Sequence, residues 1–201
     1  MRTRSPEIVL QELIEGNQRY VAGQLLHPRQ TPEYRRALRD HQSPIACVLG
    51  CADSRVPPEI LFDQGLGDLF VVRVAGNVVD DVVIGSLEYA VLHLQTPLLM
   101  VLGHTGCGAV RAAMEAMAMG KEGEGHLKRI VEAIRPAIIE SQPELNDRLE
   151  RAIHMNIRRS VRELLSRGLA FSSLVQEGQL KIVGAWYDLE SGRVEVLEEI
   201  A

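Results

Sequence analysis

Two short segments carry the residue types that do chemistry: Cys51-Ala52-Asp53-Ser54-Arg55 and Gly103-His104-Thr105-Gly106-Cys107-Gly108. Two thiols and an imidazole suit zinc, and three protein ligands leave a fourth position for water or substrate. A carboxylate and a guanidinium follow the first thiol closely. Together these groups can generate and hold a metal hydroxide. Taken singly, Cys51 or Cys107 reads as a small core residue, since free cysteine is among the most buried types. The pair, with His104 and glycines that permit tight turns, reads as a metal site. Cys47 sits inside an apolar run with no partner motif and reads as core packing. His27, His41, His93, His126 and His154 have no ligand-like neighbours and read as surface or internally satisfied histidines.

Such a site needs elements that bring distant residues together. Residues 45–49 form an apolar run ending at Gly50, which reads as a strand buried on both faces; 69–74 and 98–102 read the same way. Cys51 and His104 would then lie just beyond the C-terminal ends of parallel strands, where open α/β sheets bind ligands. If the first and third strands are neighbours, those ends meet. Cys107 falls in the first turn of a helix expected over 106–119, whose N-terminus favours a thiolate.

The remaining elements follow from spacing. Ser5 and Pro6 start an amphipathic helix carrying Val9, Leu10, Leu13, Ile14, Tyr20 and Val21. Residues 27–44, with Pro28, Pro32 and Pro44, read as a connector with a short helix over 34–40. Asp80 or Asp81 caps a helix reaching about Leu94, ahead of Pro97. Residues 124–168 read as helical, broken at Pro136 and Pro143 and stopped at Gly168. Leu145, Leu149, Ile153, Ile157, Val161 and Leu165 form its apolar stripe. Residues 180–187 and 193–197 read as strands about a Ser191-Gly192 turn. The alternation predicts an α/β fold with right-handed crossovers. With no repeat, low-complexity segment or linker, 1–201 reads as one domain with an N-terminal helical arm at about 5–40.

Composition narrows the partners. Of 201 residues, 46% are hydrophobic, enough for a folded core. The net charge of -5 and the lack of a basic tract argue against nucleic acid. Arg35, Arg36 and Arg39 read as a solvated helix face. Three cysteines make no disulfide scaffold, and a reducing cytoplasm would keep them free for metal. The start, Met1-Arg2-Thr3-Arg4-Ser5-Pro6, lacks the apolar core of a secretory signal, and no stretch suits a membrane span. A cytoplasmic protein without membrane contact is expected.

Cys51-Ala-Asp53-Ser-Arg55-Val-Pro and His104-Thr-Gly-Cys107-Gly closely resemble the two signature motifs of the β-class carbonic anhydrases. The segment Gly67-Asp-Leu-Phe70-Val-Val-Arg73-Val-Ala-Gly-Asn77 is similar to the same family. The resemblance is strong over about 42–110 and continues more weakly to the strand at 184–189. It implies zinc held by Cys51, His104 and Cys107, and a central parallel four-stranded sheet flanked by helices with an added C-terminal edge strand. It also implies an obligate homodimer, often paired into tetramers, whose N-terminal helix embraces the partner. The implied reaction is CO2 + H2O ⇌ HCO3⁻ + H⁺, by attack of zinc-bound hydroxide on carbon dioxide.

Within that resemblance Asp53 would accept a hydrogen bond from the zinc water, and Arg55 would hold the carboxylate in a two-bond fork. Released by Arg55, Asp53 could instead become the fourth zinc ligand and close the site. By position in the motif, Gln42, Phe70 and Ala75 are the substrate-binding residues, some of them supplied by the neighbouring chain. A pocket tyrosine of plant-type members has no match in the segment 80–85. Some members carry an inhibitory bicarbonate site built on a tryptophan and an arginine. The arginine matches Arg73, but the tryptophan position is Val48, and the one tryptophan, Trp186, is distant. That site is therefore expected to be absent or weakened, and the zinc open to water. Two readings compete with carbon dioxide hydration: hydrolysis of carbonyl sulfide or carbon disulfide on the same scaffold, and a non-catalytic zinc structure closed by Asp53.

Overall fold

Apolar runs without alternation can be strands only if both faces are covered. In the computed structural model, which describes residues 4–141 and 147–200, three such runs form the middle of one sheet. β1 (Ala46–Cys51), β3 (Leu98–His104) and β4 (Lys181–Tyr187) are buried almost throughout. β2 (Leu69–Val74) lies at one edge and β5 (Val194–Ile200) at the other. The order is β2-β1-β3-β4-β5, with the first four strands parallel and β5 antiparallel to β4. Four parallel strands with an added C-terminal edge strand is the architecture that the family resemblance implies.

The two faces are covered unequally. One packs on α4 (Asp81–Glu88), α5 (Gly108–Ala118), α6 (Leu127–Glu140), α7 (Arg148–Arg167) and α8 (Phe171–Gln176). The other packs on α1 (Pro6–Val21) and α3 (Pro58–Leu61). α2 (Pro32–Ala37) is short and lies at the surface, Arg35 and Arg36 exposed, two residues earlier than the sequence spacing suggests because Thr31 caps it.

The resemblance assigned α1 to a partner chain. Within its own chain it packs one face on the sheet, with Ile8 and Val21 left exposed. Val9 and Leu13 are fully buried with Ala46, Val48, Leu98 and Met100. Gly16 lets the helix press on the 61–63 turn, since a Cβ there would lie 1.8 Å from the Phe62 carbonyl oxygen. Beside it, the Asn17 amide donates to the Leu61 and Gly192 carbonyls and accepts from the Val194 amide.

Pro136 does not break its helix. It sits inside α6. An internal proline costs about 3 kcal/mol. Val131 and Ile134 before it, and Ile138 after it, are buried on one face, each contributing ~1.5–3 kcal/mol. Packing therefore carries the helix through. The helix after Asp80 runs as α4 and then widens into a π turn over Tyr89–His93. Short helices at α3 and α8 had no periodic signal. The expected break at Pro143 and the stripe residue Leu145 fall outside the described residues; Ile153, Ile157 and Val161 of that stripe are buried.

Asp63 ties α1 to the loop that follows it. Its carboxylate accepts from Arg19 Nε at 2.7 Å and from the Leu26 and His27 amides. Burial pushes its pKa up, but these donors outweigh burial and hold it below the usual range. A depressed pKa adds stability above the unfolded value of ~3.9, lost as pH falls through the folded value. Asp63→Asn should therefore cost about 2 kcal/mol at neutral pH, and the gap to wild type should narrow in acid. Denaturant titrations at several pH values measure this, and a gap that widens in acid would contradict it.

Candidate metal centre

Cys51 ends β1 and His104 ends β3, so both ligands belong to the strands rather than to the turns beyond them. The strands are adjacent, with Gly50 paired to Leu102. Cys107 stands at the N-cap of α5, which begins at Gly108 rather than Gly106 because Gly106 takes φ +64° in the preceding turn. The three ligand atoms lie within 4.8 Å of one another, and all three residues are buried. Among the described residues no other cluster of this kind occurs, which leaves the other histidines outside any metal group.

The fit to zinc can be tested on geometry. Two Zn–S bonds of ~2.3 Å at a tetrahedral angle put the sulfurs about 3.8 Å apart; Cys51 Sγ and Cys107 Sγ are 3.9 Å apart. His104 Nδ1 faces the Thr105 carbonyl at 3.0 Å, which fixes the proton on Nδ1 and leaves the Nε2 lone pair free. Nε2 is buried and has no hydrogen-bond partner. A buried acceptor with nothing to accept is what a metal ligand looks like before the metal is added. Thr105 is anchored in turn, its amide donating to the Tyr187 carbonyl and its hydroxyl to Asp188.

Without metal, the two sulfurs ionise unequally. The hydrogen bond from the Cys107 thiol pulls Cys51 down, and the Cys51 thiolate pushes Cys107 up. Cys47, on the same strand, is pushed up to about 12 by burial and stays a thiol, as befits core packing.

Asp53 points at this cluster, with Oδ2 3.8 Å from His104 Nε2. Arg55 holds it by two bonds, Nε to Oδ1 at 2.9 Å and a terminal nitrogen to Oδ2 at 2.7 Å, and the Arg55 amide adds a third. The Arg55 fork is the main reason its pKa lies well below the carboxylate range. Arg73 braces the same loop by donating to the Cys51 and Asp53 carbonyls. Its guanidinium is thus occupied by backbone, and Val48 is buried in the sheet.

The expected substrate residues separate into two groups. Ala75 follows β2 directly, level with the metal cluster, and shares a groove with Gly108. Phe70 pairs with Cys47, four residues before Cys51 on the strand and so ~13 Å away along it. Gln42 lies in a cavity with Tyr89, whose ring is 6.1 Å from Phe70. Gln42 and Phe70 are therefore remote from the zinc ligands of their own chain. Tyr89 lies beyond the segment 80–85, where the helix passes into its π turn, and that position brings its ring to Phe70.

Two other residues were missed. Asn156 and Ser160 of α7 donate to the Gly76 and Asn77 carbonyls, and the Gly76 amide donates to Cys51 Sγ at 3.3 Å. The available signal was two polar residues one turn apart beside the stripe Ile153, Ile157 and Val161.

Comparison with known proteins agrees with this geometry. The family model described as carbonic anhydrase matches residues 46–194. Carbonic anhydrase 2 of Mycobacterium tuberculosis is 42% identical over 200 residues, covering 100% of this chain and 97% of that protein. A carbonic anhydrase of Mycolicibacterium smegmatis is 44% identical, covering 98% and 95%. Among solved structures, the Coccomyxa β-carbonic anhydrase in complex with acetazolamide superposes with a TM-score of 0.75 at 26% identity, covering 95% of this chain and 87% of that one. A tetrameric β-carbonic anhydrase of Sordaria macrospora shares the fold with a TM-score of 0.75 at 24% identity, covering 96% and 98%. The fold and the cysteine–histidine cluster thus define a metalloenzyme of the α/β class. The chain belongs to the β-carbonic anhydrase family.

Metal uptake should release protons. Cys107 must lose a proton that Cys51 holds on it, so affinity for zinc should rise with pH across neutrality. Calorimetric zinc titrations of the metal-free protein in buffers of different ionisation enthalpy report the released protons directly. Affinity that does not change with pH, with no proton release, would contradict the assignment.

Proposed function

We propose that the protein catalyses CO2 + H2O ⇌ HCO3⁻ + H⁺ at a zinc site formed by Cys51, His104 and Cys107. The observation that carries this reading is the unpartnered Nε2 of His104 facing two thiols, with Asp53 held beside it rather than in it. Bound there, zinc supplies the Lewis acidity that brings a water's pKa down to ~7. Asp53, ionised and fixed by Arg55, accepts the hydrogen bond that orients the attacking oxygen. A carboxylate engaged by three donors does not swing freely, which favours an open site over a closed structural one. Ala75 and Gly108 leave room for a small apolar substrate.

A second copy completes the pocket in this reading. β2 is an edge strand rich in apolar side chains, paired on one side only, and the exposed Tyr89 lies 6.1 Å from its Phe70. An edge of this kind invites pairing. A homodimer built there explains how Gln42 and Phe70, far from their own metal cluster, serve as substrate residues. Three free thiols, and the absence of a helix long and apolar enough to cross a membrane among the described residues, are consistent with work in a reducing cytoplasm.

Stopped-flow hydration of carbon dioxide tests the proposal. Two thiolates make the zinc water less acidic than three imidazoles would, so kcat/KM should rise on the alkaline side of neutrality. Asp53→Asn should retain zinc and lose about a hundredfold or more in kcat. Wild-type protein that carries zinc but hydrates nothing from pH 6 to 9 would refute catalysis. Turnover of carbonyl sulfide in preference to carbon dioxide would move the assignment to that substrate.

A further inference from the structure

We infer that Asn156 and Ser160 are positioning residues of the metal centre: through the Ala75–Asn77 turn they fix the backbone amide that donates to the Cys51 sulfur. The inference rests on reading Cys51, His104 and Cys107 as a zinc site, and it adds two residues from α7, an element that supplies no ligand.

The turn needs an external hold. β2 ends at Val74, paired with Cys51, and the chain then leaves the ladder. Gly76 takes φ +71° and Asn77 φ +43°, both in the left-handed region. For Asn77 this backbone is uncommon and for Gly76 it is free of side-chain cost. Nothing in the sheet pairs with the Gly76 and Asn77 carbonyls. They are satisfied by α7: Asn156 Nδ2 donates to the Gly76 carbonyl at 2.8 Å and Ser160 Oγ to the Asn77 carbonyl at 3.1 Å. Both side chains belong to residues only 4% exposed, one helical turn apart on a face that otherwise buries Ile153, Ile157 and Val161. Apolar residues at these two places would fill the space but leave two buried carbonyls without donors.

The consequence reaches the metal through one residue. Gly76 has its carbonyl held by Asn156 and its amide directed at Cys51 Sγ, 3.3 Å away. A thiolate that accepts an amide hydrogen bond is oriented by it and gives up part of its charge to it. The path from α7 to the sulfur therefore passes through one left-handed turn, and its geometry sets how the sulfur presents its lone pairs.

The test uses full-length protein loaded with zinc, and separately with cobalt(II), whose thiolate charge-transfer band reports sulfur donation. The variants are Ser160→Ala, Asn156→Ala and Ser160→Thr, each checked for folding by circular dichroism. Loss of either donor should weaken zinc binding about tenfold in chelator competition and shift the cobalt–thiolate band. Ser160→Thr keeps the hydroxyl and should restore both readings. Should Asn156→Ala fail to fold, Ser160→Ala and its threonine counterpart decide alone. Folded variants with wild-type zinc affinity and an unmoved band, even if less stable, would overturn the inference. Wild-type protein that takes up no zinc would overturn the metal assignment beneath it, a distinct result.

Discussion

The pairing of β1 with β3 in parallel is the constraint on which the rest of the structure depends. It places Cys51 and His104 at neighbouring strand ends although more than fifty residues separate them in the chain. A slip of one residue would move Cys51 ~3.3 Å along the sheet and turn its side chain to the opposite face. The apolar filling of both faces prevents that slip. Cys47 and Leu49 project to the α5–α7 side with Cys51, while Ala46 and Val48 project to the α1 side. The buried core thus fixes the site's geometry as well as the chain's stability.

Polar residues then refine what the sheet places. Each ligand has a neighbour that restricts it: the Thr105 carbonyl for His104, the Gly76 amide for Cys51, and the start of α5 for Cys107. Asp53 is restricted most, by a guanidinium fork and an amide. The pattern is economical because backbone groups at strand ends and turns have no ladder partners and must find others. Here those obligatory bonds also orient the chemistry. Arg73 shows the same economy, spending its donors on the carbonyls of the loop that carries Cys51 and Asp53.

Much of this was legible in the amino-acid sequence. β1 and β3 announce themselves as unbroken apolar runs, and the two glycine-flanked motifs mark where they end, but the equally apolar run at 69–74 forms the half-buried edge strand β2 rather than a strand buried on both faces. Neither Pro136 nor the amphipathic α1 could be judged locally. Tertiary burial decided both, by carrying α6 through its proline and by seating Val9 and Leu13 on their own sheet. The separation of Phe70 from Cys51 was hidden for a different reason. Motif order along the chain does not reveal distance along a strand, and only the register of β1 with β2 shows that Phe70 lies level with Cys47. Asn156 and Ser160 escaped notice because helical periodicity scores apolar positions and passes over a buried amide or hydroxyl between them.

The chemistry turns on a single ion and its fourth neighbour. A crystal structure of the purified protein at neutral pH, with anomalous scattering measured across the zinc edge, addresses both at once. The expected result is a zinc peak bonded to Cys51 Sγ, Cys107 Sγ and His104 Nε2, a solvent oxygen at the fourth vertex, and Asp53 still forked to Arg55. No peak between those three side chains, or an Asp53 oxygen bonded to the ion in place of solvent, would contradict it.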